Sequence, residues 1–539
     1  MKVCLLYKDR EPGREETYHD PDSIIQDLGL KSLFLLAAKE VVYDKGEVKK
    51  LEKQDSFLMD TLQNVMMVPL KTKEEIAFRQ EVLKDCLNDP ELIRELYQIS
   101  SKVQQKADDG QGAASKRTGS PIMNLISDIE RVQRVCDALA RIRDMMLTRE
   151  TLQSEGFLTY RDTLAQAFTK EREQNIRKLL EDISFYTDRV QVKEDERQML
   201  VRPRFVMECS LTDGLKLGPM KIEEVSSQST KYHRRGGKLE KLQRFMESRI
   251  PDSFSTIEDR EVQQQVLALE FETVSYLMRK LKDFRDEFKF FFDRLKTQSA
   301  FYLSAVQLRE HMKRFDMECC FPEVCDRKDL MFSDLKEFVM AIEQRVYVIG
   351  NTCSLQNKDL LIVTGANQGG KSTFLRSIGI ALVMMQCGLP VTAREFKSGI
   401  FPRLFVHFTR REDSAMNSGR LDEELSRMND IVEHIGDGSM VLLNESFATT
   451  TEKEGGLIAY DIIRALNEAG VHILTVTHLL SFAKRVFEET KDDPDSGVAF
   501  LCAERKEDGS RTYHMIPGSP EFTSFGLDLY ERIVEGNES

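Results

Sequence analysis

The sequence predicts a C-terminal α/β domain of the P-loop class joined to a large, mostly α-helical region. Three observations carry that reading. Beyond residue 320, short β-rich runs alternate with helical stretches. One of those runs feeds directly into a glycine-rich G-x-x-x-x-G-K-S segment that opens a helix. Between residues 60 and 320, proline is sparse and apolar residues recur at helical spacing among many charges.

The predicted organisation is a short N-terminal segment (1–60), a helical region (61–320) and an α/β domain (321–539). In the helical region, Phe271, Val274, Met278, Leu281 and Phe284 form one stripe with lysine, arginine and glutamate between them. Residues 107–121, rich in Gly, Ser and Asp, read as a loop. Residues 202–225, RPRFVMECS and LGPMKIEEV around a glycine turn, read as a small strand insertion. In the α/β part the predicted strands are 359–364, 403–408, 439–444, 471–477 and 497–503. Leu421, Leu425, Met428, Val432 and Ile435 mark the expected buried face of one helix among them.

Composition narrows the function classes. The 539 residues are 41% hydrophobic and 31% charged, as expected of a folded protein rich in charged helices, and length alone suggests several domains. No run approaches a membrane span, and the charged N-terminus is unlike a signal peptide, so a cytoplasmic protein is expected. The net charge of −13 argues against indiscriminate coating of nucleic acid but leaves room for a local basic surface. Ten cysteines lack paired metal spacing. Even the Cys319, Cys320, Cys325 group has no histidine at a zinc-like interval and reads as buried thiols.

The strongest motif is Gly365, Ala366, Asn367, Gln368, Gly369, Gly370, Lys371, Ser372, Thr373. Glycines let the backbone curl so that N–H groups converge on phosphate, and the helix start adds its positive end. Lys371 would then reach the β and γ phosphates of ATP, and the Ser372 hydroxyl would ligate Mg²⁺. Met440–Leu443 is a buried strand ending in Asn444 and Glu445. Such a strand end needs an acid: an aspartate usually supports the metal, and a following glutamate polarises water. Asn444 can bond to metal-bound water without contributing charge, so Mg²⁺ is held less tightly, and Glu445 is the candidate base. His478, closing the next strand after Thr475-Val-Thr477, is placed to meet the γ phosphate. Asn417-Ser418-Gly419-Arg420 opens another helix, a second anion-binding terminus that the first site does not need.

In this order, these elements resemble the DNA mismatch repair MutS family. TGANQGGKSTFLRSIGIALVMMQCGLPVTA (364–393) resembles its P-loop and following helix; NESFATTTEKEG (444–455) its Walker B strand end and dimer-facing loop; TVTHLLSFA (475–483) its histidine switch. Asn351 resembles the asparagine beside the family's adenine pocket, and residues 76–97 onward resemble its core, lever and clamp helices. The resemblance implies an ABC-type ATPase using ATP and Mg²⁺. It also implies a homodimer that sandwiches nucleotide between the P-loop of one copy and Ser418 and Gly419 of the other. The family more often has Ser-Thr-Phe at that second position. With about 60 residues ahead of the helical core, the resemblance implies a clamp and motor without the family's mismatch-reading domain, and without a C-terminal nuclease domain.

Double-stranded DNA is the expected partner. Residues 231–244 carry six Lys or Arg against one Glu, and Arg234, Arg235, Lys238 and Lys241 are the candidate phosphate contacts. Two rival readings stay open: a non-catalytic ATP-gated interaction module, favoured by Asn444, and a motor acting on protein or RNA, favoured by the acidic charge.

Overall fold

The computed structural model of the chain describes all residues except 1–3, 9–15, 40, 45–46, 52–54, 114–120, 185–203, 213–215, 227–259, 326–328, 367, 410–419, 494, 507–509 and 521–539. In chain order, α1 (Pro21–Asp27), α2 (Leu30–Ala37), β1 (Val41–Asp44), β2 (Glu47–Leu51), α3 (Ser56–Met66) and α4 (Lys73–Asn88) come first. Next are α5 (Pro90–Ala113), α6 (Pro121–Thr148), α7 (Glu155–Ala167), α8 (Lys170–Ser184), β3 (Arg204–Thr212), β4 (Lys216–Ser226) and α9 (Arg260–Arg314). The remainder begins with β5 (Glu323–Val324), β6 (Leu330–Leu335), α10 (Phe338–Gln344), β7 (Asn351–Leu355), β8 (Leu360–Thr364), α11 (Lys371–Gln386) and β9 (Glu395–Ser398). It ends with β10 (Leu404–Phe408), α12 (Arg420–His434), β11 (Met440–Asn444), α13 (Glu452–Glu468), β12 (His472–Val476), α14 (Leu480–Thr490), β13 (Val498–Arg505) and β14 (Arg511–Pro517). Among the described residues, no helix is long and apolar enough to cross a membrane.

Two compact units emerge. One is built mainly from Leu96–Glu150 and Tyr160–Lys296, the other from Cys4–Glu95, Thr151–Thr159 and Thr297–Ser539. The first is mostly helical. Ile129 and Val132 of α6, Leu180 of α8 and Leu281 of α9 share one apolar cluster. Buried Arg143 of α6 donates to the Phe168 carbonyl at 3.2 Å and to Glu173 at 2.7 Å, so its charge is paired where water is excluded. The expected insertion is an antiparallel hairpin, β3 with β4, in register from Arg204 opposite Ser226. The loop expected at 107–121 is helical as far as Ala113, where α5 ends, and residues 114–120 lie outside the described ones. Gly110 and Gly112 each cost about 1 kcal/mol in a helix, which one already several turns long tolerates.

The second unit holds a six-stranded sheet in the order β10-β11-β12-β8-β13-β14. Its first five strands are parallel and β14 is antiparallel to β13. Every residue of β8, β10 and β12 is buried, as parallel strands covered on both faces require. Leu360, Ile362, Val441, Leu443 and Ile473 pack on one face against Met428 and Ile431 of α12, Ala459 and Ile463 of α13, and Phe482 and Val486 of α14. The buried face of α12 therefore differs from the expected one. Met428 is buried but Leu425 and Val432 are exposed, and Glu424 and Ile431 lie inside instead. Residues 424, 428 and 431 define the inner stripe by helical geometry, and Leu425 and Val432 lie to one side of it.

A second, four-stranded sheet runs β5-β9-β6-β7. Thr72 and Glu75 form a capping box at the start of α4, and that helix presents Arg79 to the interior. Arg79 is fully buried and donates to the carbonyls of Leu6 and Cys387. Gly388, with φ at 74°, leaves space for it, since a Cβ there would stand 3.0 Å from the arginine stem.

Candidate functional site

Strand register gathers the candidate residues at one edge of the six-stranded sheet. Asn444 pairs with Val476, and Val476 with Val363. Glu445 and Thr477 follow directly on these strand ends, Thr364 closes β8 at the same level opposite Cys502 of β13, and the Glu445 N–H donates to Val476 O at 2.8 Å. Ligands of open α/β sheets collect at the carboxyl ends of strands, where this edge lies.

The loop from β8 to α11 curls through three left-handed residues: Gly365 at φ 120°, Gln368 at 60° and Gly370 at 90°. At Gly365 an added Cβ would lie 2.9 Å from the backbone nitrogen of Ala503, so the turn needs glycine for space as well as for φ. Gly370 caps α11, and Lys371 opens it. The Lys371 side chain is 4% exposed, and its ammonium donates to the carbonyls of Gly365 at 2.8 Å and Ala366 at 3.0 Å. Burial lowers its pKa below the usual lysine range; the nearby Glu445 carboxylate works in the opposite direction. The result is a cation that, among the described residues, has no bonded counter-ion and rests on the carbonyls of the glycine loop.

This loop borders an open cavity of about 950 Å³ whose lining includes Gly369, Gly370, Lys371, Ser372, Thr373 and Glu445. Glu337, Tyr347, Asn351, Tyr513, His514, Lys506 and Arg511 also line it, and Arg511 donates to Gln368 Oε1 of the loop at 2.9 Å. Glu445 sits in the left-handed region at φ 54°, a strained conformation for a residue with a Cβ. Beside it, the Oδ1 atom of Asn444 is buried and has no hydrogen-bond partner among the described residues. Asn351 uses both ends of its amide on β14: Nδ2 donates to Tyr513 O at 3.2 Å, and Oδ1 accepts from Met515 N–H at 2.7 Å. It thereby holds Tyr513, itself at φ 63°, against the cavity.

Supporting residues absent from the sequence reading fix the strand ends. Glu424 of α12 is buried and accepts from Phe447 N–H at 3.1 Å, Thr449 Oγ1 at 3.0 Å and Thr409 Oγ1 at 3.2 Å. His407, fully buried on β10, bonds the Ser446 hydroxyl at 2.7 Å. The backbone just after Glu445 is thus tied to α12 and β10. No local motif announces Glu424, Tyr347 or Tyr513, because their partners lie on other elements. Glu337 caps α10 through Met340 N–H, and burial pushes its carboxyl up to about 7.

Not every expected residue meets at the cavity. His478 follows β12 in an exposed position outside the cavity lining. Asn367, Ser418 and Gly419, and the basic group Arg234, Arg235, Lys238 and Lys241, lie outside the described residues.

The class these features define is an α/β protein with its candidate site at strand carboxyl ends, beneath a glycine loop. A family model described as MutS domain V matches residues 361–534, and one described as MutS2 N-terminal domain matches residues 71–315. The chain is 30% identical over 187 residues to "Endonuclease MutS2" of Carboxydothermus hydrogenoformans, covering 34% of this chain and 23% of that protein. It is 26% identical over 190 residues to "DNA mismatch repair protein MutS" of Thermus thermophilus, covering 35% and 23%. With the protein of that same name from Acetivibrio thermocellus it is 25% identical over 242 residues, covering 42% and 27%. This chain belongs to the MutS family. Each match spans about a quarter of the relative's own length.

Proposed function

We propose that the chain is a MutS-type ATPase in which Mg-ATP binding closes two copies around duplex DNA, in mismatch repair or recombination. The observation that carries this reading is Lys371, buried over the glycine loop with carbonyls as its hydrogen-bond partners among the described residues, and lining the same cavity as Glu445. Carbonyls are weak partners for an ammonium, so an incoming phosphate gains a stronger, charge-assisted bond. The loop N–H groups and the start of α11 add positive potential at the same place. The cavity can take a nucleotide whose phosphates lie over residues 369–373 and whose base lies towards Tyr347, Asn351, Tyr513 and His514.

Ser372 in the cavity lining and Asn444, whose buried Oδ1 has no hydrogen-bond partner among the described residues, would hold a hydrated magnesium ion. Mg²⁺ would supply neutralisation of the β and γ phosphate charge there. Glu445 would orient and deprotonate the attacking water, and its strained backbone aims the carboxylate from the strand end. His478 would complete the site in the closed dimer, and Ser418 and Gly419 would contact the partner copy's nucleotide. Arg234, Arg235, Lys238 and Lys241 would hold DNA phosphates. The three-part division at 60 and 320 belongs to the same reading.

The deciding experiment follows the mass of Glu445→Gln by light scattering, with and without Mg-ATP. A nucleotide-dependent rise in the dimer fraction is expected, and an unchanged equilibrium overturns the two-copy sandwich. One observation favours a second reading, a catalytically weak ATP-gated module: Asn444 offers the metal no charge. Parent turnover near background, restored by Asn444→Asp, would select it.

A further inference from the structure

Far from that cavity in sequence, two histidines and an aspartate converge between the segment before α1 and the last turns of α12. His19 Nε2 lies 3.1 Å from Asp430 Oδ2. His434, one turn beyond Asp430 on α12, stacks its ring on that of His19 with centroids 3.8 Å apart and planes 22° from parallel. One donor atom from each of the three residues lies within 4.8 Å of the other two.

The geometry points to a divalent transition-metal site at His19, Asp430 and His434, taking Zn²⁺ or a similar imidazole-binding ion. Zinc holds imidazole nitrogen and carboxylate oxygen at about 2.0–2.2 Å, which at the tetrahedral angle puts two such ligands on one ion about 3.3–3.6 Å apart. The His19–Asp430 pair, at 3.1 Å, needs to open by only a few tenths of an ångström to reach that interval. The His434 Nδ1–H donates to the Asp430 carbonyl at 2.8 Å, so that ring's Nε2 carries the free lone pair. Coordination would require the His434 ring to turn out of its stack on His19, so that this nitrogen meets the shared point.

The scaffold is set before any ion arrives. Tyr18, next to His19, is buried and its N–H donates to Met67 O at 3.0 Å. Asp20, on the other side, caps α1. Asp430 and His434 are spaced i, i+4, the interval that puts two side chains on one helix face. A depression of about 260 Å³ adjoins them, lined by His19, Asp20, Ser23, Ser426 and Asp430. It has room for waters to complete the coordination. Two arginines stand nearby and both are engaged: Arg427 with Asp27 at 3.1 Å and Phe408 O at 3.0 Å, and Arg403 with the carbonyl of His434. Imidazole with a single carboxylate suits Zn²⁺, Co²⁺, Ni²⁺ or Cu²⁺ rather than Mg²⁺ or Ca²⁺. A bound ion would clip the N-terminal segment to the C-terminal end of α12.

The test uses the full chain, stripped with chelator and free of nucleotide, so its outcome is separate from the ATP reading. Zn²⁺ is titrated by calorimetry, and Co²⁺ by its visible ligand-field absorption, into the parent and into His19→Ala, Asp430→Asn and His434→Ala. Saturable binding by the parent is expected, weakened about tenfold or more in each variant, with the Co²⁺ band lost or shifted. A parent that takes up neither ion overturns the site. So do variants that bind like the parent, since the metal would then sit on other groups, such as thiols.

Discussion

Two parts of the cavity lining are built in opposite ways. The part at Lys371 comes from one contiguous loop and helix start, 369–373, and from Glu445 just past a strand end, and its geometry is mostly backbone. The part at Tyr347 and Tyr513 is assembled from stretches more than 160 residues apart, and the Asn351 amide ties β7 to β14 within it. A backbone-built site depends on a few residue types at fixed spacing. A side-chain-built site depends on which elements pack together, and it can vary without leaving a motif. The first therefore suits an invariant group such as phosphate, and the second suits the variable part of a ligand.

Substitutions should expose that contrast, with the largest effects at the backbone-built part. Glu445→Gln should retain ATP and lose turnover by roughly 10²-fold or more, the scale of a positioned general base. Single-turnover hydrolysis beside nucleotide affinity measures this, and parental turnover would put the water elsewhere. Lys371→Ala should weaken ATP by about 10²-fold, consistent with about 2–5 kcal/mol for removing one partner of a buried charge pair. Unchanged far-UV circular dichroism is expected alongside. Equal affinity would remove Lys371 from the phosphate site.

In the other part the effects should be smaller and of a different kind. Asn351→Ala deletes two hydrogen bonds to β14 and frees Tyr513, so nucleotide affinity should fall by about tenfold, near 1–2 kcal/mol for such bonds. Turnover at saturation should hold, because no reacting group has moved. A loss in turnover as large as that of Glu445→Gln would erase the distinction between the two parts. The smallest effect concerns Glu337. Its carboxyl is raised from 4.5 to about 7 by burial, so the folded chain binds a proton more tightly than the unfolded one. That term makes stability decline as pH rises from 4.5 to about 7, with the full penalty present above that window. Glu337→Gln should flatten the pH dependence of the melting temperature across that window and raise it most on the alkaline side. An unaltered profile would mean that Glu337 does not titrate there.

Much of the sheet was legible because parallel strands buried on both faces must be continuous apolar runs. The runs at 359–364, 403–408, 439–444, 471–477 and 497–503 all became strands of one sheet. The hairpin in 202–225 was legible for its β-branched and aromatic residues beside a glycine turn. Helices were less faithful to their patterns. Periodicity gave α12 a stripe through Leu425 and Val432, yet both are exposed. The pattern reports where apolar residues lie, whereas the sheet decides which of them it covers.

What the amino-acid sequence determined by itself was local: the glycine loop between strand and helix, the acid at a strand end, and the alternation that makes an α/β unit. Each follows from backbone sterics and hydrogen bonding within a dozen residues. What only tertiary structure decided was convergence. Glu424 and His407 brace the turn after Glu445 because β10, β11 and α12 are neighbours. Asn351 grips β14 because β7 meets it. His19 reaches Asp430 across 411 positions of chain. Contacts over such separations are set by strand order and helix packing, which depend on the whole core at once and leave no periodic trace in any one segment.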